Sequence, residues 1–300
     1  MNPSRAGVFL LLALGVVAFS FSGIFIKWSS APASVLATHR LSLTALLMLP
    51  WVWRERAGLT GLTGKDWVRL SLSGFFLSLH FLFWMSSFHY TSVASAMIFL
   101  NLTPLLVAAG AFLMFKEKYP ARAFWGMGLA LVGTGLVVGG DFTWTLTALW
   151  GDVLSFLGAV AVAIHMLLGQ NLRQRISSTV YSFVVFVVAT LVLAGYNVVL
   201  GVPLFSYPAE EWGIFFLLAT VPTVFGHLLF NWLLKFTKAV TIQMAVLGEP
   251  VGTVLLAAWL LDEAVIWSQL VGGLLSIVGI VWFIRAQARS EEDGKVQTAA

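Results

Sequence analysis

Ten runs of mostly apolar residues, joined by short polar connections, fill almost the whole sequence. A helix needs about 20 apolar residues to cross the hydrocarbon core of a bilayer, and each run is close to that length. The runs cover residues 7–27, 34–53, 68–88, 93–115, 123–140, 149–169, 180–200, 213–234, 239–261 and 267–285. Charged residues make up only 10% of the chain, too few to cover a soluble protein of this size. The sequence therefore predicts an all-α integral membrane protein with ten transmembrane helices, numbered here as spans one to ten.

Lysine and arginine are concentrated in alternate connections between the runs. Of the 17 such residues, all except Lys27 and Arg40 lie on the side that holds the N-terminus. Loops rich in lysine and arginine stay on the cytoplasmic side, so both termini are predicted to be cytoplasmic. Arg40, near the start of span two, is expected to reach outward to water or to pair locally.

Several function classes are excluded by what the sequence lacks. It has no cysteine, and therefore neither a disulfide framework nor a thiolate metal site. It has no HExxH, GxSxG or Walker A motif, so we predict no enzyme and no ATP site. The basic residues occur in small groups at the ends of runs, which does not suit nucleic-acid binding. The segment after Arg285 is polar and is predicted to be disordered.

Two segments repeat one pattern at a constant interval, the distance from Pro104 to Pro250. At this interval four structure-setting residues coincide without a gap: Pro104 with Pro250, Glu117 with Glu263, Gly126 with Gly272, and Gly133 with Gly279. The chain is therefore predicted to contain two repeats of five spans. The predicted division is 1–140 for the first repeat, 141–286 for the second and 287–300 for a polar cytoplasmic tail. Because the first repeat needs span one, that span is predicted to be a helix and not a signal peptide.

The two repeats have opposite charge bias. Glu117 lies in KEKYPAR, which is rich in lysine and arginine, whereas Glu263 lies in LDEAVIW, which has neither. Conversely, SSFHYTS before span four has none, while its counterpart LKFTKAV before span nine has two lysines. An odd number of spans turns the second repeat upside down, so the repeats are predicted to be inverted. Inverted repeats are typical of secondary transporters, whose site lies near the midplane where the halves meet.

Residues 91–138 and 239–282 resemble the end of an EamA domain of the drug/metabolite transporter superfamily. Each has a proline in mid-span, a glutamate at the span's end and a glycine-bearing span after it, and the Glu249-Pro250-Val251 of span nine is typical. Within the superfamily, the chain looks most like bacterial aromatic amino acid exporters of the YddG type. The resemblance covers nearly the whole chain. It implies inward- and outward-facing states and export of metabolites across a bacterial-type inner membrane.

Polar side chains inside an apolar span are costly in lipid, which makes them candidates for substrate binding. The eight candidates are His80, Trp84, Asn101, His165, His227, Asn231, Gln243 and Glu249. For these residues the alternative is a structural role, chiefly hydrogen bonding between helices. The cavity is predicted to lie among spans one, three, four, six, eight and nine.

Histidines of the two repeats are predicted to meet near the pseudo-twofold axis. The repeat interval places His80 of span three beside His227 of span eight. On span eight, Thr223, His227 and Asn231 follow one another at intervals of four and share one helix face. Thr220 is predicted to lie on the same side.

Three prolines are predicted to break the hydrogen bonding of their spans. Pro104, Pro222 and Pro250 each free the carbonyl four residues earlier, which suits a water-lined cavity, a gating kink or a fixed bend. Glu249 directly precedes Pro250, whereas Thr103 occupies the matching position in the first repeat. Glu249 is expected to bind a substrate ammonium or to carry a proton. The alternative is a structural partner for a nearby histidine or for a freed backbone group.

The sequence as a whole predicts a secondary transporter that exports small metabolites by alternating access. The resemblance makes aromatic or other neutral amino acids the leading substrates. The alternatives are a multidrug or other metabolite exporter of the same fold, and a non-coupled channel. No cofactor and no metal are expected, and the partners are the small-molecule substrate and the lipid bilayer, with protons left open. We expect a monomer, because an inverted pair within one chain can close a site by itself.

Overall fold

The structure, a computed structural model, describes residues 3–139, 145–260 and 262–299. Within these ranges every regular element is helical, and ten helices are long and apolar enough to cross a membrane. The spans are Ala6–Trp28, Ala33–Arg54, Gly64–Ser87, Ser95–Phe115, Ala121–Val138, Leu146–Leu172, Ser178–Val199, Ala209–Leu233, Ala239–Leu260 and Trp267–Ser290. The predicted all-α fold with ten spans is confirmed. The predicted boundary between residues 140 and 141 lies outside the described residues.

The outer surface of the helix bundle is apolar. Trp125 is 77% exposed, Trp259 is 75% exposed and Leu10 is 72% exposed. Such side chains would be costly in water over a whole molecular surface, but they are suited to contact with lipid chains. The surface therefore agrees with the spans in assigning the protein to a bilayer.

Spans four and nine are each broken just before their proline. Span four consists of Val93–Leu100 and Thr103–Phe115, and span nine consists of Ala239–Val246 and Glu249–Leu260. Pro104 and Pro250 are each the second residue of the later helix, in the first turn where a missing N–H is tolerated. The hydroxyl of Thr103 donates to the carbonyl of Leu100, which Pro104 leaves free. The predicted breaks thus place irregular backbone in the middle of both spans.

Span eight accommodates Pro222 by a different local structure. Between the α-helices Ala209–Leu218 and Leu229–Leu233, residues Ala219–Leu228 form a π-helix. The carbonyl of Leu218, freed by Pro222, accepts a hydrogen bond from the Thr223 hydroxyl at 2.7 Å. The wider π turn also changes which side chains share a face. Thr220 donates to the carbonyl of Phe216 on its own helix, and its place on the same side as Thr223 stays a prediction.

Spans five and ten pack along a seam of glycines. A Cβ atom on Gly133 would lie 2.3 Å from the backbone nitrogen of Ser276, and one on Gly279 would lie 2.3 Å from that of Ala130. Gly126 and Gly272 make equally close backbone contacts across the same seam. The low-numbered end of span five meets the high-numbered end of span ten, so the two helices run antiparallel.

The C-terminal helix is longer than the sequence predicts. It runs from Trp267 to Ala299, whereas the segment after Arg285 was expected to be disordered. This segment contains alanine, glutamine, arginine and glutamate, all good helix formers, and it lacks proline. Because these residues favour a helix, span ten continues as a helix beyond its apolar run, through Gly294.

Candidate functional site

A cavity of about 90 Å³ lies in the middle of the bundle, among spans one, two, three, four, six, eight and nine. All eight predicted candidates line it: His80, Trp84, Asn101, His165, His227, Asn231, Gln243 and Glu249. Pro104 is part of the wall, whereas Pro222 and Pro250 are buried outside the lining. Small-molecule pockets usually measure about 300–1,000 Å³, so in this conformation the helices are drawn in around the cavity.

Span three supplies a parallel pair of rings to the cavity wall. The rings of His80 and Trp84 stack at 5.8 Å with an interplanar angle of 3°. Nδ1 of His80 lies 3.1 Å from the carbonyl oxygen of Gly158 on span six, which fixes the plane of the imidazole. The indole Nε1 of Trp84 is buried without a hydrogen-bond partner among the described residues. The pair therefore presents one fixed imidazole and one unsatisfied donor.

His165 on span six contacts Ser73, whose hydroxyl also contacts that of Tyr181. Its Nδ1 lies 2.9 Å from Oγ of Ser73, and that oxygen lies 2.8 Å from the hydroxyl of Tyr181. Ser73 and Tyr181 are fully buried, and His165 is only 1% exposed although it lines the cavity. This contact set supports a fixed ring orientation for His165.

His227 approaches the cavity through aromatic contacts. Its ring centroid is 4.6 Å from that of Phe19 on span one and 6.1 Å from that of Phe81 on span three. Phe81 in turn lies 5.1 Å from His80, so the two histidines flank one phenylalanine. The predicted meeting of His80 and His227 is thus a contact through Phe81.

One of the candidate amides, Asn231, is already engaged in hydrogen bonds between helices. The side-chain amide of Asn231 donates to Ser182 of span seven at 3.1 Å, and its backbone carbonyl accepts from Nε of Arg173 at 2.7 Å. Burial lowers the pKa of Arg173, just beyond the end of span six, to about 10, so this arginine is still protonated at neutral pH. Gln243 lines the cavity and is only 8% exposed. For Asn231 the structural role proposed as an alternative is present alongside the cavity position.

Asn101 and Glu249 lie at the two helix breaks. Asn101 ends the first helix of span four, and its Nδ2 is buried without a partner among the described residues. Glu249 begins the second helix of span nine, where the hydroxyl of Ser20 donates to its backbone carbonyl at 3.2 Å. Gly252 lets span one come this close, because a Cβ there would lie 2.1 Å from Oγ of Ser20. The breaks thus bring one amide donor and one carboxylate to the cavity.

Arg40 is the functional candidate that the sequence argument missed. It was expected to reach outward or pair locally, but it is only 5% exposed and lines the cavity. Its Nε donates to the hydroxyl of Thr223 at 2.7 Å, and its Nη1 donates to that of Ser22 at 3.2 Å. Its guanidinium carbon lies 5.4 Å above the ring of Phe81. The prediction failed because packing of span two inside the bundle turns this residue toward the interior.

One buried guanidinium group and one buried carboxyl group therefore face the same cavity. Arg40 and Glu249 attract one another electrostatically. No ion pair within 4.0 Å joins them in the described part of the chain. The arrangement can attract a ligand of either sign and is most complementary to one that carries both.

The fold and its central polar cavity define a helical membrane transporter. The chain matches the EamA-like transporter family over residues 6–139 and 149–285. It belongs to this family, and it is a multi-pass membrane protein.

Similar proteins support this assignment without giving a substrate. An uncharacterized transporter of Archaeoglobus fulgidus is 26% identical over 282 residues, which cover 90% of this chain and 95% of that protein. The uncharacterized transporter YxxF of Bacillus subtilis is 24% identical over 264 residues, which cover 85% of this chain and 82% of that protein. A crystal structure of another protein superposes with a TM-score of 0.82 at 16% identity, covering 96% of this chain and 100% of that one. At this identity the superposition shows the fold alone.

Proposed function

We propose that the protein exports small metabolites, with aromatic or other neutral amino acids as the leading substrates, by alternating access through the central cavity. One observation carries the proposal: polar side chains from seven spans converge on a single cavity within apolar helices. Each of these side chains is costly in lipid, and together they form a site at the depth where secondary transporters bind their substrates.

Alternating access is supported by features that occur once in each half of the chain. Spans four and nine break at matching prolines, Pro104 and Pro250. Spans five and ten, which the repeat pairs with one another, run antiparallel in the glycine seam, as an inverted repeat requires. The small size of the cavity also supports the proposal, because a substrate could enter or leave only after the halves move apart.

We propose further that both termini are cytoplasmic, that the membrane is a bacterial-type inner membrane, and that the protein works as a monomer. The distribution of lysine and arginine supports the orientation. The monomer is supported by the pairing of two halves within one chain, since both halves contribute side chains to the cavity.

Counterflow in proteoliposomes tests the proposal. Vesicles loaded with unlabelled phenylalanine should accumulate labelled phenylalanine transiently and with saturation. The uptake should fall at least about tenfold in His80→Ala, which removes a ring of the cavity wall. His89→Ala is the matched control, because His89 is exposed in the connection before span four, and it should leave counterflow unchanged.

Competition separates the alternative functions. Inhibition by cationic drugs but not by amino acids would favour a multidrug exporter. Ion or solute flux that rises linearly with concentration would favour a channel and contradict the carrier. Equal counterflow in His80→Ala and wild type would contradict the assignment of the site.

A further inference from the structure

We propose that the substrate carries a carboxylate and a cationic group in the same molecule, and that Arg40 and Glu249 bind these groups from opposite walls of the cavity. This inference rests on the proposed function, since it concerns the same cavity. It assigns the two charged groups of such a substrate to two residues and gives Arg40 a specificity-determining role.

Arg40 is a buried cation with neutral partners. It donates to Thr223 and Ser22 through Nε and Nη1, and the N–H groups of Nη2 have no hydrogen bond to any described residue. A charge inside a membrane span is stable only when an anion, polar groups or water compensates for the loss of hydration. The planar fork of an arginine side chain matches a carboxylate with two parallel hydrogen bonds. Arg40 is therefore a fixed receptor for an anionic group that arrives with the ligand.

Two further donors near the cavity lack acceptors. Nε1 of Trp84 and Nδ2 of Asn101 are both buried without a partner in the part of the chain that the structure describes. A buried donor left unsatisfied is unfavourable, and few such groups occur in a folded protein. Both residues line the same cavity as Arg40. A ligand with several acceptor oxygens, as a carboxylate has, would satisfy donors that the protein leaves open.

Glu249 is the complementary acceptor. Its backbone carbonyl accepts from Ser20, but its carboxylate accepts no hydrogen bond from a described side chain or backbone group. It lies on span nine, whereas Arg40 lies on span two, and the two charges attract without reaching ion-pair distance. A protonated amine placed between them would donate to Glu249 while the carboxylate of the same ligand accepts from Arg40.

A ligand with one charge fits this arrangement less well. A simple anion would compensate for Arg40 and leave Glu249 facing another negative charge, and a simple cation would do the reverse. A zwitterion compensates for both without bringing net charge into the membrane. The remaining wall includes Phe19, Phe81, Met97 and Phe230, which suit an apolar side chain.

Three compounds with one side chain test the inference. Phenylalanine, phenethylamine and 3-phenylpropanoate share the benzyl group but carry both charges, the amine alone and the carboxylate alone. In wild type, phenylalanine should compete for labelled phenylalanine counterflow at least about tenfold better than either analogue, because each analogue lacks one charged hydrogen-bonding partner.

The variants should lose this preference in opposite ways. Arg40→Gln should remove most of the advantage of phenylalanine over phenethylamine, and Glu249→Gln should remove most of its advantage over 3-phenylpropanoate. Competition by the retained analogue shows that each variant is folded. Arg54→Gln on span two and Glu210→Gln on span eight, both exposed, are the matched controls and should keep the wild-type order. If Arg40→Gln does not fold, the wild-type comparison of the three compounds remains decisive.

The possible failures are distinguishable. Saturable counterflow of phenylalanine with equal competition by all three compounds in wild type would overturn the inference and leave the proposed function standing. Variants that weaken all three compounds by the same factor would also overturn it. If no amino acid gave counterflow, both the inference and the proposed function would be overturned.

Discussion

Glu117 and Glu263 occupy matching positions in the two halves of the sequence. Each joins a broken span to another helix, and the two contacts lie at opposite ends of the bundle. Oε1 of Glu117 accepts a hydrogen bond from Nε2 of Gln170 at the end of span six, at 2.8 Å. Glu263, after span nine, forms an ion pair with Lys27 at the end of span one. Spans six and one are the first spans of their respective halves. In this structure both contacts are made at once, which agrees with the small central cavity.

The Glu117 contact should hold one end of the cavity closed. Gln170 also accepts a hydrogen bond from the backbone N–H of Ala239 at 2.6 Å, and it thereby links spans four, six and nine. The reporter is a cysteine introduced at Met97, which lines the cavity. Glu117→Ala should raise the rate at which this cysteine reacts with a membrane-impermeant maleimide added on the side of the membrane that Glu117 faces. Because the chain has no cysteine of its own, the introduced one is the only site of reaction.

Glu263→Ala should increase labelling of the cysteine at Met97 from the opposite side of the membrane. It removes the ion pair with Lys27, so labelling of the same cysteine should rise from the other membrane face. The effect should be smaller, since this ion pair is exposed and surface ion pairs contribute about 0–1 kcal/mol. Glu210→Gln should change neither rate. If both alanine variants increased labelling from the same side, the two glutamates would not be contacts of opposite gates.

The glycine seam between spans five and ten should tolerate no side chain. Gly133→Ala would place a Cβ atom 2.3 Å from the backbone of Ser276, where overpacking costs about 1–3 kcal/mol or more. Gly128 lies on the same span, and a Cβ there would meet no atom within 4 Å. Gly128→Ala should raise stability slightly, because glycine costs about 0.8–1 kcal/mol in a helix. Thermal unfolding in detergent should give a lower Tm for Gly133→Ala and an equal or higher Tm for Gly128→Ala. The same Tm in both variants would contradict the seam.

Ser73 and Tyr181, which lie behind His165, should contribute cooperatively to the free energy of unfolding. Ser73→Ala removes the hydroxyl between His165 and Tyr181, at a cost of about 1–3 kcal/mol because the buried Tyr181 hydroxyl is left unsatisfied. Tyr181→Phe should cost less once Ser73 is gone, giving a coupling of about 0.5–3 kcal/mol in a double-mutant cycle. Ser78→Ala is the control, because this buried serine donates within its own helix to Phe75. Additive changes in unfolding free energy would show that Ser73 and Tyr181 do not act together.

The sequence predicted most of the fold and much of the candidate site, because lipid imposes simple rules. Each span must be long and apolar, so the runs identify the helices. A polar residue inside a span must face the interior, so the sequence alone predicts that His80, His165, His227 and Glu249 lie at the cavity. The breaks at Pro104 and Pro250 followed from the missing N–H of proline.

What the sequence could not supply depends on how the helices pack. Arg40 lies early in its span, where a long side chain could reach water, and only the position of span two in the bundle decides that it turns inward. A signal was present, because Arg40 and Thr44 are polar residues one turn apart and therefore share a face of span two. The π turn around Pro222 does not follow α-helical spacing, so the sequence could not fix which face of span eight Thr220 occupies. The hydroxyl support of His165 joins spans three, six and seven and has no local pattern.

Substrate protection at the cavity tests the central claim most directly. A single cysteine at Met97 faces the cavity, and one at Leu105, on the same span, is 39% exposed on the outer surface. In proteoliposomes, N-ethylmaleimide should abolish phenylalanine counterflow through the Met97→Cys protein and leave that through Leu105→Cys intact. Free phenylalanine at about ten times its Kd should slow alkylation at Met97→Cys about tenfold, because bound substrate occupies the same space. Alkylation at Met97→Cys that neither blocks counterflow nor slows with phenylalanine would contradict transport through this cavity.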